Sequence, residues 1–362
     1  MPRERAHWFV LSEATKLLPK ESLVRKALKT EAHWAYLGAV LPDAPYYKGK
    51  GTDSFAAEVG EKLHGCEGED TFAIMRSWAK AIDSAPILPE QSPPIQPLPR
   101  NMDSWALWLG FLSHLVLDQE AHPMIFYFTG DYYHPDLRQR TLARARHRLL
   151  EVYLETLVPR SAEIPEYISD LCTATLGKSN LPLEFLAAQN FSAWSGSPLL
   201  PKGHTREQHF DFWRASVMDL AEAQHILLSP ARGLFLRALS SIPFSLFLPP
   251  AARFSRLVEF DALFAFGRSN PGPLLSQILT YRNPASGEEF KKSPLEIFAE
   301  AAKRLAALFC AAEPALAGSV SDGSFLAPGE GTSLCFNLMG VRAAGAVHYS
   351  HQGLALHGLA TR

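Results

Sequence analysis

Three residues four apart, His114, Asp118 and His122, carry the strongest chemical signal in this chain. They stand in the run Gly110-Phe-Leu-Ser-His114-Leu-Val-Leu-Asp118-Gln-Glu-Ala-His122-Pro123, where Leu115, Val116, Leu117 and Ala121 keep the intervening positions apolar. On a helix, residues four apart lie one turn above each other, so the three form one stripe about 12 Å long. A carboxylate on a buried helix is costly unless a cation or hydrogen bonds compensate it. Between two imidazoles, Asp118 has the chemistry of a metal ligand and could bridge two ions about 3.5–4 Å apart, as in two-metal hydrolases. A metal-free His–Asp–His network fits the same spacing.

A second pair, His147 and Glu151, is again one helical turn apart. By itself it reads as two solvated neighbours on a helix. Set beside the first stripe, it gains meaning. Two imidazoles and a carboxylate with one position left for water form a common catalytic zinc arrangement, and His122, His147 and Glu151 complete it. Upstream, Asp43 lies in the proline-pinned turn Pro42-Asp43-Ala-Pro45, and His64 stands just before Gly65 at the end of a helical pattern. Both could supply further ligands, and turn chemistry and helix capping also account for them. His7 opens the first helix. Glu120, beside the stripe, is a candidate partner for one of the imidazoles.

The elements that must position these groups are helical. Apolar residues recur three or four apart over Glu4–Leu18, Phe55–His64, Thr71–Ile82, Arg138–Leu157, Gln208–Leu227 and Pro294–Cys310. Ser293 followed by Pro294 gives the last of these a cap and a first-turn proline. Alternating strand patterns are scarce. Pro86–Pro99 holds six prolines and reads as an extended surface loop. Residues 195–206 and 313–333 are Gly/Ser/Pro-rich breaks, and the tail from Leu334 onward shows no period. Because the candidate ligands flank the proline-rich loop, one domain over residues 1–362 is expected. It divides into a metal-binding core at about 1–160, a further helical region at about 161–312 and an irregular segment at 313–362.

Composition narrows the function classes. The net charge of −2 argues against a global nucleic-acid-binding field. Cys66, Cys172, Cys310 and Cys335 show no paired spacing, so neither a cysteine zinc site nor a disulfide framework is expected. The opening residues do not read as a signal peptide, and a cytoplasmic location is expected. Trp105–Phe128 is apolar, but His114, Asp118, Glu120 and His122 make it a buried functional helix rather than a membrane span. Leu234–Pro250 is apolar and interrupted by Arg237, Pro243, Pro249 and Pro250. It reads as a core helix with an irregular loop, or as a surface for peripheral membrane contact. His348, His351 and His357 have loosely metal-like spacing in the tail.

The ordered set Ala6-His7, Gly38…Pro42-Asp43, Leu63-His64-Gly65, His114-x3-Asp118-x3-His122-Pro123 and His147-x3-Glu151 resembles the zinc-dependent phospholipase C family over about residues 1–160. That family shares its all-helical fold with single-strand-specific zinc nucleases. Tyr281-Arg-Asn283-Pro284-Ala-Ser-Gly287-Glu288 is similar to a segment of bacterial members. The resemblance implies an all-α, multi-helix bundle with a cluster of two or three zinc ions between its helices. It matches Asp43, His64, His114 and Asp118 to one ion, and His122, His147 and Glu151 to a second. It matches His7 and the bridging Asp118 to part of a third, which secreted members complete with the amino group of an N-terminal tryptophan. Here six residues precede His7. The gap between Asp118 and His122 is also shorter than the proline-containing gap of those enzymes.

The implied reaction is hydrolysis of a phosphodiester by a metal-activated water, with Asp43 orienting or deprotonating it. Tyr46, Tyr47 and Phe126 to Phe128 are candidates for the pocket mouth. The expected substrate is a small-molecule or phospholipid phosphodiester. A nuclease on the same metal core would use aromatic stacking and the basic run Arg138…Arg148. A non-catalytic zinc protein would hold its ions in closed sites.

Overall fold

The computed structural model describes residues 4–51, 53–83, 101–194, 200, 202–228, 276–318, 325–326 and 332–350. Its elements are helices α1 (Glu4–Leu17), α2 (Leu23–Thr30), α3 (Ala32–Gly38), a 3-10 segment (Leu41–Gly51), α4 (Ser54–Leu63), α5 (Ala73–Asp83), α6 (Met102–Thr129), α7 (Leu137–Glu155), α8 (Ile168–Thr175), α9 (Leu181–Trp194) and α10 (Arg206–Leu228). A hairpin of β1 (Leu279–Arg282) and β2 (Glu289–Lys292) precedes α11 (Pro294–Leu316). The fold is all-α, with a single short antiparallel ladder among the described residues.

The hub is α6. Its apolar residues are buried on every side, from Trp105 through Ile125. A helix apolar all round must be wrapped by others, and α1, α3, α5, α7, α9 and α11 pack on it. The α3 crossing is a backbone-to-backbone contact. A Cβ at Gly110 would lie 1.9 Å from the Ala35 carbonyl oxygen, and one at Gly38 would lie 2.2 Å from that of Leu107. Two glycines let the helices meet at a distance that no side chain permits. Indole N–H groups tie further elements together: Trp8 donates to the Tyr36 carbonyl and Trp108 to that of Met75, each at 2.8 Å.

Several sequence expectations change. The turn around Asp43 is a 3-10 segment spanning Pro42 and Pro45. Helix α11 runs through Pro314 to Leu316, beyond the break expected at 313. Its N-terminus has a full capping box between Ser293 and Glu296, with Pro294 in the first turn. The hairpin was not anticipated, because two four-residue strands are too short to display a period. The tail is irregular over 332–350, yet backbone hydrogen bonds tie it to the rest of the chain. Leu334 donates to the His64 carbonyl, Gly340 to Gly68, Ala343 to Cys66, and Val347 and His348 to Pro284. Pro86–Pro99, Leu234–Pro250, His351 and His357 lie outside the described residues. Among the described residues, no helix is long and apolar enough to cross a membrane.

Candidate metal centre

The structure brings His7, Asp43, His64, His114, Asp118, His122, His147 and Glu151 together, all of them buried. Asp118 stands in the middle. Its Oδ2 lies 3.2 Å from His114 Nε2 and 3.6 Å from the Nε2 atoms of both His64 and His122. Its Oδ1 lies 3.5 Å from His7 Nε2. Asp43 Oδ1 is 3.4 Å from His64 Nε2 and 3.9 Å from His114 Nε2. Further along the stripe, Glu151 Oε1 is 2.8 Å from His147 Nε2 and 3.7 Å from His122 Nε2. The His7 ring lies flat on that of His114, with centroids 4.0 Å apart.

Three donor triples result, each compact enough for an ion: His7, His114 and Asp118; Asp43, His64 and His114; His122, His147 and Glu151. The chemistry of the donors fits zinc, which takes imidazole nitrogen and carboxylate oxygen. Nε2 of His7, His114 and His122 and Oδ1 of Asp118 are buried without a hydrogen-bond partner among the described residues. Buried polar atoms are rarely left so. Here several of them converge on the same points.

The far sides of the rings explain the aim of the near sides. His64 Nδ1 is 2.7 Å from the Gly60 carbonyl, one turn back on α4. His114 Nδ1 is 3.0 Å from the Ala39 carbonyl, delivered by the glycine crossing of α3 and α6. His122 Nδ1 is 3.0 Å from the Leu334 carbonyl. A carbonyl only accepts, so each ring holds its proton on Nδ1 and presents a bare Nε2. Glu120 does not fill this role, contrary to expectation. Its carboxylate turns to α11 and receives Arg304 Nη1 at 2.9 Å, because that side of the helix faces away from the stripe.

Electrostatics follow from burial and proximity. Burial favours a neutral Asp43, yet His114 and His64 hold it ionised, down to about 2. The same contest, won by His122 and His114, holds Asp118 well below the usual carboxylate range. Burial pushes His122 down to about 4 and His147 well down. Burial, reinforced by His114, also lowers His7. His114 goes the other way: burial opposes its charge, but Asp118 and Asp43 raise it. Ionised carboxylates among mostly neutral imidazoles make a centre that calls for cations.

One face of the centre is open. A pocket of about 200 Å³ is lined by Asp43, His64, His122 and His147 together with Tyr46, Glu61, Cys66, Phe126, Tyr132, Tyr133, Arg144, Arg148 and Cys335. Tyr46 and Phe126 thus stand where the sequence suggested, whereas Tyr47, Tyr127 and Phe128 pack against the main core. The basic run divides: Arg144 and Arg148 face the pocket, while Arg138 is an exposed residue at the start of α7. Leu334 and Cys335 were missed, because a backbone carbonyl and an isolated cysteine carry no sequence signature. That Arg144 and Arg148 share the face of the expected ligands His147 and Glu151 could have been read, since spacings of three place them together on α7.

A helical fold with three converging donor triples beside an open pocket defines a class, that of helical proteins equipped for clustered metal ions. Residues 6–181, just under half of the chain, match the family model described as Zinc dependent phospholipase C, and over this segment the chain is similar to that family of zinc-dependent phosphoesterases. All eight candidate ligands fall within the matched stretch, whereas Leu334 and Cys335 lie beyond it. The chain matches no curated protein and no solved structure.

Proposed function

We propose that this protein hydrolyses phosphodiesters in the manner of a phospholipase C, at a zinc cluster held by the eight residues above. Asp43, His64, His114 and Asp118 hold one ion, and His122, His147 and Glu151 hold a second. His7 and Asp118 provide part of a third site, so two or three ions fit. The observation that carries this reading is the clustering of three buried donor triples, joined through His114 and Asp118, two of which open onto one pocket through Asp43, His64, His122 and His147. When bound, zinc supplies positive charge to the phosphoryl oxygens and lowers the pKa of a water towards neutrality.

The chain's own groups do the rest. The carbonyls of Gly60, Ala39 and Leu334 fix three imidazoles in the tautomer that presents Nε2. Asp43 lines the pocket and stays ionised, so it accepts a hydrogen bond from the attacking water and orients it without retaining the proton. Phe126 and Tyr132 pack on the His147 ring and flank the triple of His122, His147 and Glu151 where it meets the pocket. The opening onto the pocket favours catalysis over a closed structural site. A small-molecule or phospholipid diester ranks ahead of nucleic acid, given the net charge of −2.

The test pairs zinc content with hydrolysis of bis-p-nitrophenyl phosphate. The untagged protein is expected to carry two or three zinc ions and to turn over the diester. Asp118→Asn should lose most of the metal, and Asp43→Asn should lower kcat by about 100-fold or more. A wild-type chain free of zinc, or loaded and inert towards every diester, would overturn the proposal.

A further inference from the structure

Beyond the ligand stripe, α7 carries two arginines into the same pocket. Arg144 precedes His147 by three residues, and Arg148 precedes Glu151 by three, so both cations stand on the ligand-bearing face of the helix. Their charge reaches the centre: both stabilise the ionised form of Tyr132, and Arg148 opposes protonation of His147. Facing them is Glu61, the one carboxylate of the lining that is not a candidate ligand, whose pKa is raised by burial even though Arg144 opposes the shift. Apart from Asp43, whose charge an ion at the centre would take up, the pocket wall therefore carries two cations against one carboxylate.

The aromatic residues of this wall would otherwise suit a quaternary ammonium group, which binds on tyrosine and phenylalanine faces. That place is taken. The Arg144 guanidinium lies 4.6 Å from the centroid of the Tyr132 ring, and its Nε donates to the Tyr132 carbonyl at 3.4 Å. A cationic headgroup entering here would meet a resident cation on the ring and a second arginine one turn along.

We propose that Arg144 and Arg148 form an anion-binding subsite, and that the substrate carries a further negative group beside its scissile diester. Guanidinium groups are suited to both carboxylate and phosphate, with paired N–H donors in fixed geometry. An acidic headgroup, or a small metabolite with a second phosphate, meets this requirement equally. Choline esters do not. The inference deepens the hydrolase reading and rests on it only for the word substrate.

The experiment compares two ligands that differ in one group, phosphoglycolate with its carboxylate and phosphocholine with its cation. Each is titrated calorimetrically into the zinc-loaded full-length protein. The p-nitrophenyl phosphodiesters of glycolate and of choline are assayed in parallel. The wild type is expected to prefer the anionic member by about tenfold or more in both measurements, falling with added salt. In the double variant Arg144→Gln/Arg148→Gln the preference should collapse towards one, and Arg144→Lys/Arg148→Lys should restore part of it. Matched melting temperatures will show that the variants fold. Equal binding of both ligands, or a preference that survives the glutamines, would overturn the subsite. Anion preference without turnover of any diester would leave the subsite standing and remove the hydrolase reading.

Discussion

His122 and His209 show how burial acts on one residue type with different consequences. Both are held down to about 4, mainly by burial. His122 has an acceptor behind it and carboxylates in front, so its neutral form is a ligand in waiting. His209, on α10, sits among Phe191, Trp194, Phe212 and His204, and neither of its ring nitrogens has a hydrogen-bond partner among the described residues. Its consequence is a pH dependence of folding. The unfolded chain takes up this proton near 6.5 and the folded chain only near 4, so the unfolded state binds more protons in between. Stability is therefore full above about 6.5 and is lost as the pH falls towards 4, by up to about 3 kcal/mol. Denaturant melts of His209→Phe should show a shallower loss over that interval than the wild type. A parallel loss in both would remove His209 as the cause.

At the scale of elements, the centre depends on segments that contribute no ligand. The C-cap of α3 orients His114 through the Ala39 carbonyl, and the chain at 332–350 orients His122 through Leu334. The hairpin turn holds that last segment in place. Asn283 Nδ2 donates to the Phe336 carbonyl at 2.6 Å, and its Oδ1 accepts from the Ala285 and Ser286 amides. Asn283→Ala should cost about 1–3 kcal/mol, since it removes a buried hydrogen bond and the turn contacts. Its diagnostic effect is faster hydrogen exchange at the amides of Leu334 and Ala343, with α3 and the early part of α6 unaffected. Uniform acceleration throughout the chain would mean that the turn supports the whole fold rather than this segment.

For the whole molecule, the proposed metal centre would also be a stability device. It gathers donors from α1, the 3-10 segment, the C-cap of α4, α6 and α7, so ions bound there would cross-link elements distant in sequence. Without cations, two ionised carboxylates and several orphaned imidazole nitrogens stay buried at its heart. Chelation should lower Tm by roughly 5–10 °C, on the order of 4 kcal/mol per site at a thousandfold excess of free zinc over Kd. Zinc should restore it, and calcium should not, because imidazole-rich sites discriminate against hard oxygen-seeking cations. A Tm indifferent to chelator would count against ions at this centre.

The sequence by itself determined what local periodicity and donor chemistry can encode. The stripe His114–Asp118–His122 and the pair His147–Glu151 were legible because a helix turns their spacing into a shared face. The helical class was legible for the same reason. What only the tertiary structure decided are the relations that no spacing records. Gly38 and Gly110 are ordinary residues in the sequence, and their contact sets the partner of His114. Leu334 offers a carbonyl, a group every residue possesses, so nothing in the side-chain pattern marks it as the support of His122. Glu120 sits two residues from both Asp118 and His122, yet helical rotation carries it to Arg304. Backbone acceptors and long-range pairings are chosen by how the helices pack, and that choice belongs to the assembled molecule.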